Sequence, residues 1–229
     1  KGTPVDGTFG AIAATVSACT LLKATPHQTT VAVNAALCQM SRSLFAPVKA
    51  GSQSRLLYSG LAATRGMDLS IASIADFHGP DQLIDESKDH KHRWPHSLNL
   101  EIRNPLSIQQ SYTKLLPGAR HLHYCMEAAM AWRREKGYET GKHLKHDELP
   151  QSIHIKTYEE AAKYCDLAKP KNRIQAQFSL QYATCMTLLT GETSGKIFSH
   201  DNLSRSSVTH LLDRIQVSAV DSPPGRWAE

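Results

Sequence analysis

Long apolar runs are missing from this 229-residue chain, and so are any CxxC pair, any internal repeat and any dense stripe of one charge sign. Each absence excludes something. No stretch approaches the ~20 consecutive apolar residues of a membrane span, and the small-residue stretch near the start is interrupted by Thr and Ser. No secretory signal is visible. Lys and Arg number 26 against 21 Asp and Glu, so the formal charge of +5 is mild. That balance suits an anionic small molecule and not the basic stripe of a nucleic-acid binder. Aromatic residues make up only 7% of the chain, which points to a core built from smaller side chains. The five cysteines, Cys19, Cys38, Cys125, Cys165 and Cys185, are odd in number and scattered through apolar helical contexts. They read as buried free thiols in a reducing, intracellular compartment, the cytoplasm or the mitochondrial matrix.

Histidine is plentiful, at 12 residues. His90, His92 and His96 lie close together, but in a Pro- and charge-rich segment without a cysteine nearby, so no metal site is expected there. The run Lys88–Arg93 reads as a solvated loop.

Hydrophobic residues make up 41% of the chain, which suits one large or two small globular domains. The organisation changes near residues 85–105. Before that stretch the pattern is helical. Ala11–Leu22 is rich in Ala, Ser and Thr, which lets neighbouring helices approach closely. Thr25-Pro26-His27-Gln28 is a helix start, with a capping residue, a proline at the first helical position and Gln28 completing a capping box. Val31, Ala35 and Cys38 share one helical face, and Gly60–Ile74 continues the helical style. Asp85–Pro105 is a long loop or linker. Beyond it the spacing predicts a short strand over Ser111–Leu116 and a helix over Leu122–Lys136, with Met126, Ala129 and Met130 on one side. A polar connector follows, then a strand over Ser152–Tyr158 with Ile153 and Ile155 inward. Helices follow over Glu159–Cys165, Gln175–Leu189 and Leu203–Leu212, with Asp201 and Asn202 as cap candidates. A last strand falls at Ile215–Val220. The expected fold class is α+β: a mainly helical domain over 1–100 and a smaller α+β domain over 101–229.

One stretch stands out chemically. Lys114-Leu-Leu-Pro-Gly-Ala-Arg-His-Leu-His123 sets a lysine, an arginine and two histidines around a Pro-Gly turn at a helix entry. Cationic side chains and free helix N–H groups suit a small polycarboxylate, and a histidine there can move protons near neutral pH. A basic surface turn is the plainer reading.

Four segments in order resemble the MmgE/PrpD family, which includes 2-methylcitrate dehydratase, cis-aconitate decarboxylase and iminodisuccinate epimerase. Gly7-Thr-Phe-Gly-Ala-Ile-Ala-Ala14 is similar to the family's Gly/Ala-rich helix. Gly51–Gly66, with Arg55 and Gly60-Leu-Ala-Ala63, resembles its Gly-Ser-Met-x-Lys-Arg-Leu-x-x-Gly-x-Ala-Ala segment. Lys114–His123 resembles Lys-Pro-Tyr-Pro-x-Cys-Arg-x-x-His, and Ala176-Gln-Phe-Ser-Leu-Gln-Tyr182 resembles Ala-x-Phe-Ser-x-x-Tyr.

The resemblance implies a large helical domain and a smaller α+β domain, with the active site in the cleft between them. Family chains are longer, so this one is expected to be truncated at both ends, its second domain incomplete at the C-terminal end. The implied catalytic residues are His123, Tyr182 and Lys114, and the implied substrate-binding residues are Arg55, Arg120, His121 and Tyr58. His121 and His123 alternate, so one of the two is expected to face the cleft. Arg55 falls where the family has lysine, and it can bind a carboxylate but not act as a base. Pro4 falls near the family's Gly-x-His, where proline has no proton to exchange, and Tyr58 stands where histidine is common. Tyr182 has three open readings: it protonates a leaving oxygen, it anchors a carboxylate, or its ring packs in the core. The implied activity is a lyase or isomerase of the 2-methylcitrate dehydratase type. It acts on a citrate-like or alkylcitrate-like polycarboxylate by proton abstraction next to a carboxylate, without metal or cofactor. The implied assembly is a homodimer, or a complex with a completing partner chain, with no nucleic acid and no membrane involved. The alternatives are a degenerate or partner-dependent non-catalytic paralogue, and a repurposed member that rearranges or cyclises another acidic metabolite.

Overall fold

The computed structural model describes residues 9–39, 49–79 and 107–220. Pro4, the loop expected at 85–105, the basic run at 88–93 and the histidines at 90, 92 and 96 lie outside the described residues. The chain divides into two compact units, one of residues 1–47 and 52–111, the other of 48–51 and 112–229. Among the described residues no helix is long and apolar enough to cross a membrane.

The first unit is helical. Helices α1 (Phe9–Leu21), α2 (Pro26–Cys38) and α3 (Tyr58–Ile74) pack on one another, with a 3-10 turn at Gln53–Leu57 leading into α3. Small side chains set the spacing. A Cβ built on Gly66 of α3 would lie 2.6 Å from the Ala14 Cβ and 2.7 Å from the Thr15 backbone nitrogen, so only glycine permits this approach of the backbones. Beside it the buried Ser70 hydroxyl lies 2.7 Å from the Gly66 carbonyl and 3.1 Å from the Thr15 carbonyl. The Cys19 thiol donates to that hydroxyl at 3.3 Å. Helix α2 opens on the expected capping box: Gln28 N donates to Thr25 Oγ1 at 3.2 Å, and Thr25 N to Gln28 Oε1 at 2.8 Å. The α2 face is covered at Val31 and Ala35 and open at the last residue of the helix. There Cys38 is exposed, which corrects the expectation of a buried thiol.

The second unit is α+β. Its elements run α4 (His123–Glu135), β1 (Ile153–Tyr158), α5 (Glu159–Cys165), α6 (Arg173–Ala176), α7 (Leu180–Thr190), α8 (His200–Leu203), α9 (Ser206–Leu212) and β2 (Ile215–Val220). The strands pair in parallel, in register from Ile153 with Ile215 to Tyr158 with Val220. Helix α7 is buried along its whole length and forms the centre of the core, packed against α4, α9 and β2. Leu122, Met126, Tyr182, Phe198 and Leu211 are wholly buried around it.

Three expected elements differ. Ser111–Leu116 is not a strand. Its alternation finds no strand to pair with among the described residues, and Leu115 is 94% exposed. The helix expected over Gln175–Leu189 is two helices, because Ser179 adopts extended backbone and its hydroxyl caps α7 by accepting from Tyr182 N at 2.9 Å. The helix expected over Leu203–Leu212 also breaks, at Arg205, whose backbone is extended. Asn202 is no cap for it: it sits inside α8 and donates from Nδ2 to the carbonyls of Lys196 and Ile197.

A buried cation ties the second unit together. Arg133 of α4 is 1% exposed, and its guanidinium donates to the carbonyls of Leu188 (2.5 Å), Glu139 (2.8 Å) and Lys142 (2.8 Å). The Leu188 carbonyl lies in the last turn of α7, where the helix dipole favours positive charge. Gly191 closes that helix at φ +68°, and a Cβ there would press on the guanidinium at 2.9 Å.

Candidate functional site

The Lys114–His123 segment is held as a turn by one local bond and one bond to a distant part of the chain. Gly118 sits at φ +85°, a conformation that favours glycine, and a Cβ there would lie 3.0 Å from Leu122 and 3.2 Å from Phe198. Lys114 Nζ donates to the Gly118 carbonyl at 2.9 Å, and Ala119 N donates to the Gln177 carbonyl at 2.9 Å. A 3-10 turn over Arg120–Leu122 then runs directly into α4, with the Leu122 side chain buried as its anchor. This arrangement gives the two histidines different surroundings.

His121 faces an aromatic group. Its Nδ1 is hydrogen-bonded to the Tyr158 hydroxyl, and its ring lies 5.5 Å from the Tyr158 ring and 6.4 Å, stacked, from the Tyr164 ring. His123 faces cations. Its pKa is pushed below the ordinary histidine value, first by burial and then by the Lys114 charge, with a smaller push from Arg120. A hydrogen bond to the Leu116 carbonyl and the carboxylate of Glu127 oppose the shift. Its Nε2 is shut off from solvent with no hydrogen-bond partner among the described residues. A half-buried imidazole beside two cations is held neutral, which is the form that accepts a proton. Arg120 itself lies over the Tyr112 ring at 5.1 Å.

Lys114, Arg120 and His123 are therefore brought together, while His121 turns to a different set of neighbours. Arg55 and Tyr58 belong to the first unit, Arg55 in the 3-10 turn and Tyr58 at the start of α3, both half-buried. Tyr182 is where the packing reading put it. It is wholly buried, its hydroxyl donates to the Ile197 carbonyl at 2.8 Å, and its ring stacks on Phe198 at 6.1 Å. Burial raises its pKa further above the ordinary phenol value. The phenol's proton is committed within the core, so the expected catalytic role is replaced by a structural one.

Glu127 went unnoticed in the sequence, although its i+4 spacing from His123 on α4 was a readable signal. A cavity of about 560 Å3 in the second unit was also missed. Its lining joins His121 and Tyr124 to apolar residues of α4, β1 and α7. Cys125 lines it too, but burial pushes that thiol up to about 11, leaving it unreactive as a nucleophile near neutral pH. Among the described residues no group of three or more His, Cys, Asp or Glu side chains could hold a metal ion.

No curated protein matches the chain. Residues 117–223, which carry all but the first residues of the cationic turn and run through α4 to β2, match the family model of the MmgE/PrpD C-terminal domain.

Proposed function

We propose that the protein is a lyase or isomerase acting on a citrate-like or alkylcitrate-like polycarboxylate, in the manner of 2-methylcitrate dehydratase. One observation carries the reading: His123 is kept neutral by burial and by Lys114 while two cations stand beside it. The match of residues 117–223 to the MmgE/PrpD C-terminal domain, from a family that includes dehydratases and related enzymes, supports it.

In this reading one carboxylate of the substrate rests on Lys114 and Arg120. His123 accepts the proton from the neighbouring carbon at Nε2, once binding of the acid opens the packing that shuts this nitrogen off from solvent. The electron pair left behind delocalises into the carboxylate, and the two fixed cations stabilise the charge that develops there. Loss of the adjacent hydroxyl as water then gives the alkene, and return of the proton to the opposite face gives epimerisation. The residue that protonates the leaving oxygen is one other than Tyr182. The working assembly is a homodimer or a complex with a completing chain.

Proton NMR in deuterated water tests this with 2-methylcitrate, citrate, cis-aconitate and a substituted succinate. The expected result is deuterium entering the carbon next to a carboxylate, or alkene appearing, for one of these acids. His123→Gln should abolish it, and Lys114→Met should weaken binding of the same acid. Exchange that continues at full rate in His123→Gln would overturn the assignment of the base.

A further inference from the structure

The 560 Å3 cavity has a wall that an ordinary ligand pocket lacks. Six consecutive residues, from Ser152 through Thr157, line it. Side chains of a strand alternate between faces, so a cavity touching every residue in turn lies along the strand's edge. No residue of β2 lines it. Ile153 N donates to the Arg214 carbonyl at 2.9 Å, on the β2 side. Successive residues of a strand direct their N–H and C=O groups to opposite edges. The backbone groups of His154 and Lys156 therefore point away from β2, along the edge that the cavity follows. Among the described residues β2 is the sole strand neighbour of β1.

The opposite wall is mostly apolar, with Thr184 its polar member, and regularly spaced. Ala128 and Trp132 of α4, and Leu180, Thr184 and Leu188 of α7, follow one another at intervals of four residues. Ile153 and Ile155 project toward the core yet remain only half-buried. On the other face of the sheet His154 and Lys156 are exposed, and the cavity lining contains no Asp or Glu.

We propose that the β1 edge is a docking site for an extended peptide segment of another protein, one that alternates apolar and acidic residues. Its backbone would pair with His154 and Lys156. Its apolar side chains would cover the α4 and α7 stripes, and its acidic side chains would lie beside His154 and Lys156 on the outer face. A second copy of this chain fits less well. Pairing β1 with itself brings two copies of Lys156 onto one face of the joined sheet, and like charges across a strand pair are destabilising. The site is separate from the acid chemistry at His123, which does not line the cavity.

The test uses the whole chain and a fluorescein-labelled peptide, acetyl-Gly-Glu-Val-Glu-Val-Glu-Val-Gly-amide. Comparison peptides are the same composition with the valines in a block, and a version with lysine in place of glutamate. The expected result is saturable anisotropy for the alternating acidic peptide alone, with shifts in the amide signals of His154 and Lys156. Lys156→Glu should weaken binding at least about tenfold. Lys156→Pro should abolish it, because it removes a donor from the free edge while sparing the β2 ladder. Equal binding of the blocked peptide, binding indifferent to Lys156→Glu, or no binding at millimolar peptide would each overturn the proposal. So would a dimer of the chain that Lys156→Pro dissociates, since the occupant would then be a second copy.

Discussion

Replacing Tyr182 by phenylalanine separates a structural phenol from a chemical one. The substitution removes one oxygen and leaves the ring, so the stack on Phe198 at 6.1 Å persists and no cavity larger than a hydroxyl opens. The lost bond is the 2.8 Å donation to the Ile197 carbonyl. That carbonyl keeps Asn202 Nδ2 at 3.3 Å, so it is not left unsatisfied. The expected cost is therefore that of a single neutral hydrogen bond, about 1 kcal/mol. The second unit holds about 120 residues, and at about 2.1 cal/mol/K per residue its unfolding entropy converts this loss to about 4 °C in Tm. Urea unfolding followed by near-UV circular dichroism measures the stability, and deuterium exchange into the responding acid measures the chemistry. The expected outcome is a loss of about 1 kcal/mol with exchange unchanged. Loss of exchange with stability intact would refute the core assignment and return Tyr182 to the reaction. A loss above about 3 kcal/mol would refute the accounting, because it would require a network larger than one bond.

Three further outcomes follow from the same geometry. Arg133→Met removes the partner of three carbonyls, two of them on an exposed connector that water can reach, and should cost about 2–4 kcal/mol in urea unfolding; an unchanged midpoint would contradict its role as a tie. Gly118→Ala forces an L side chain into φ +85° against Leu122 and Phe198, and should cost about 1–3 kcal/mol while suppressing exchange through loss of the turn. The pH dependence has a definite sign. Because the folded pKa of His123 lies below the ordinary value, the unfolded chain binds more protons near pH 6, so this residue's contribution to stability falls as pH drops below about 6.5. The acid limb of kcat/KM should likewise fall below that value and move up toward it in Lys114→Met, where the second cause of the shift is gone; a limb that stays in place would exclude Lys114 as a neighbour of the base.

The legible features are those whose causes lie within a few residues. Thr25 and Gln28 cap α2 because both bonds close within one turn of backbone. The alternation in Ile153–Tyr158 and Ile215–Val220 is readable because a strand's period is two, and each lies where it was expected. The break at Ser179 was hidden because the apolar period runs through it, and only the hydroxyl bond to Tyr182 N shows that a new helix starts there. Ser111–Leu116 alternates like a strand, but a strand also needs a partner, which the local pattern does not supply.

At the candidate site the same division holds. The sequence by itself determined the cationic turn, because Lys114, Gly118, Arg120 and His123 are close in the chain and their contacts close locally. It also determined that this turn leads into a helix. Only the tertiary structure decided which histidine meets cations and which meets an aromatic group, since Tyr158 reaches His121 from 37 residues away. It also decided that Tyr182 is a core residue, since the carbonyl that takes its proton and the ring that covers it belong to Ile197 and Phe198, in a turn beyond the end of α7. That β1 has β2 as its sole strand neighbour among the described residues was decided in the same way. A strand's sequence records which face is apolar, but the edge that stays open depends on which neighbours the fold brings beside it.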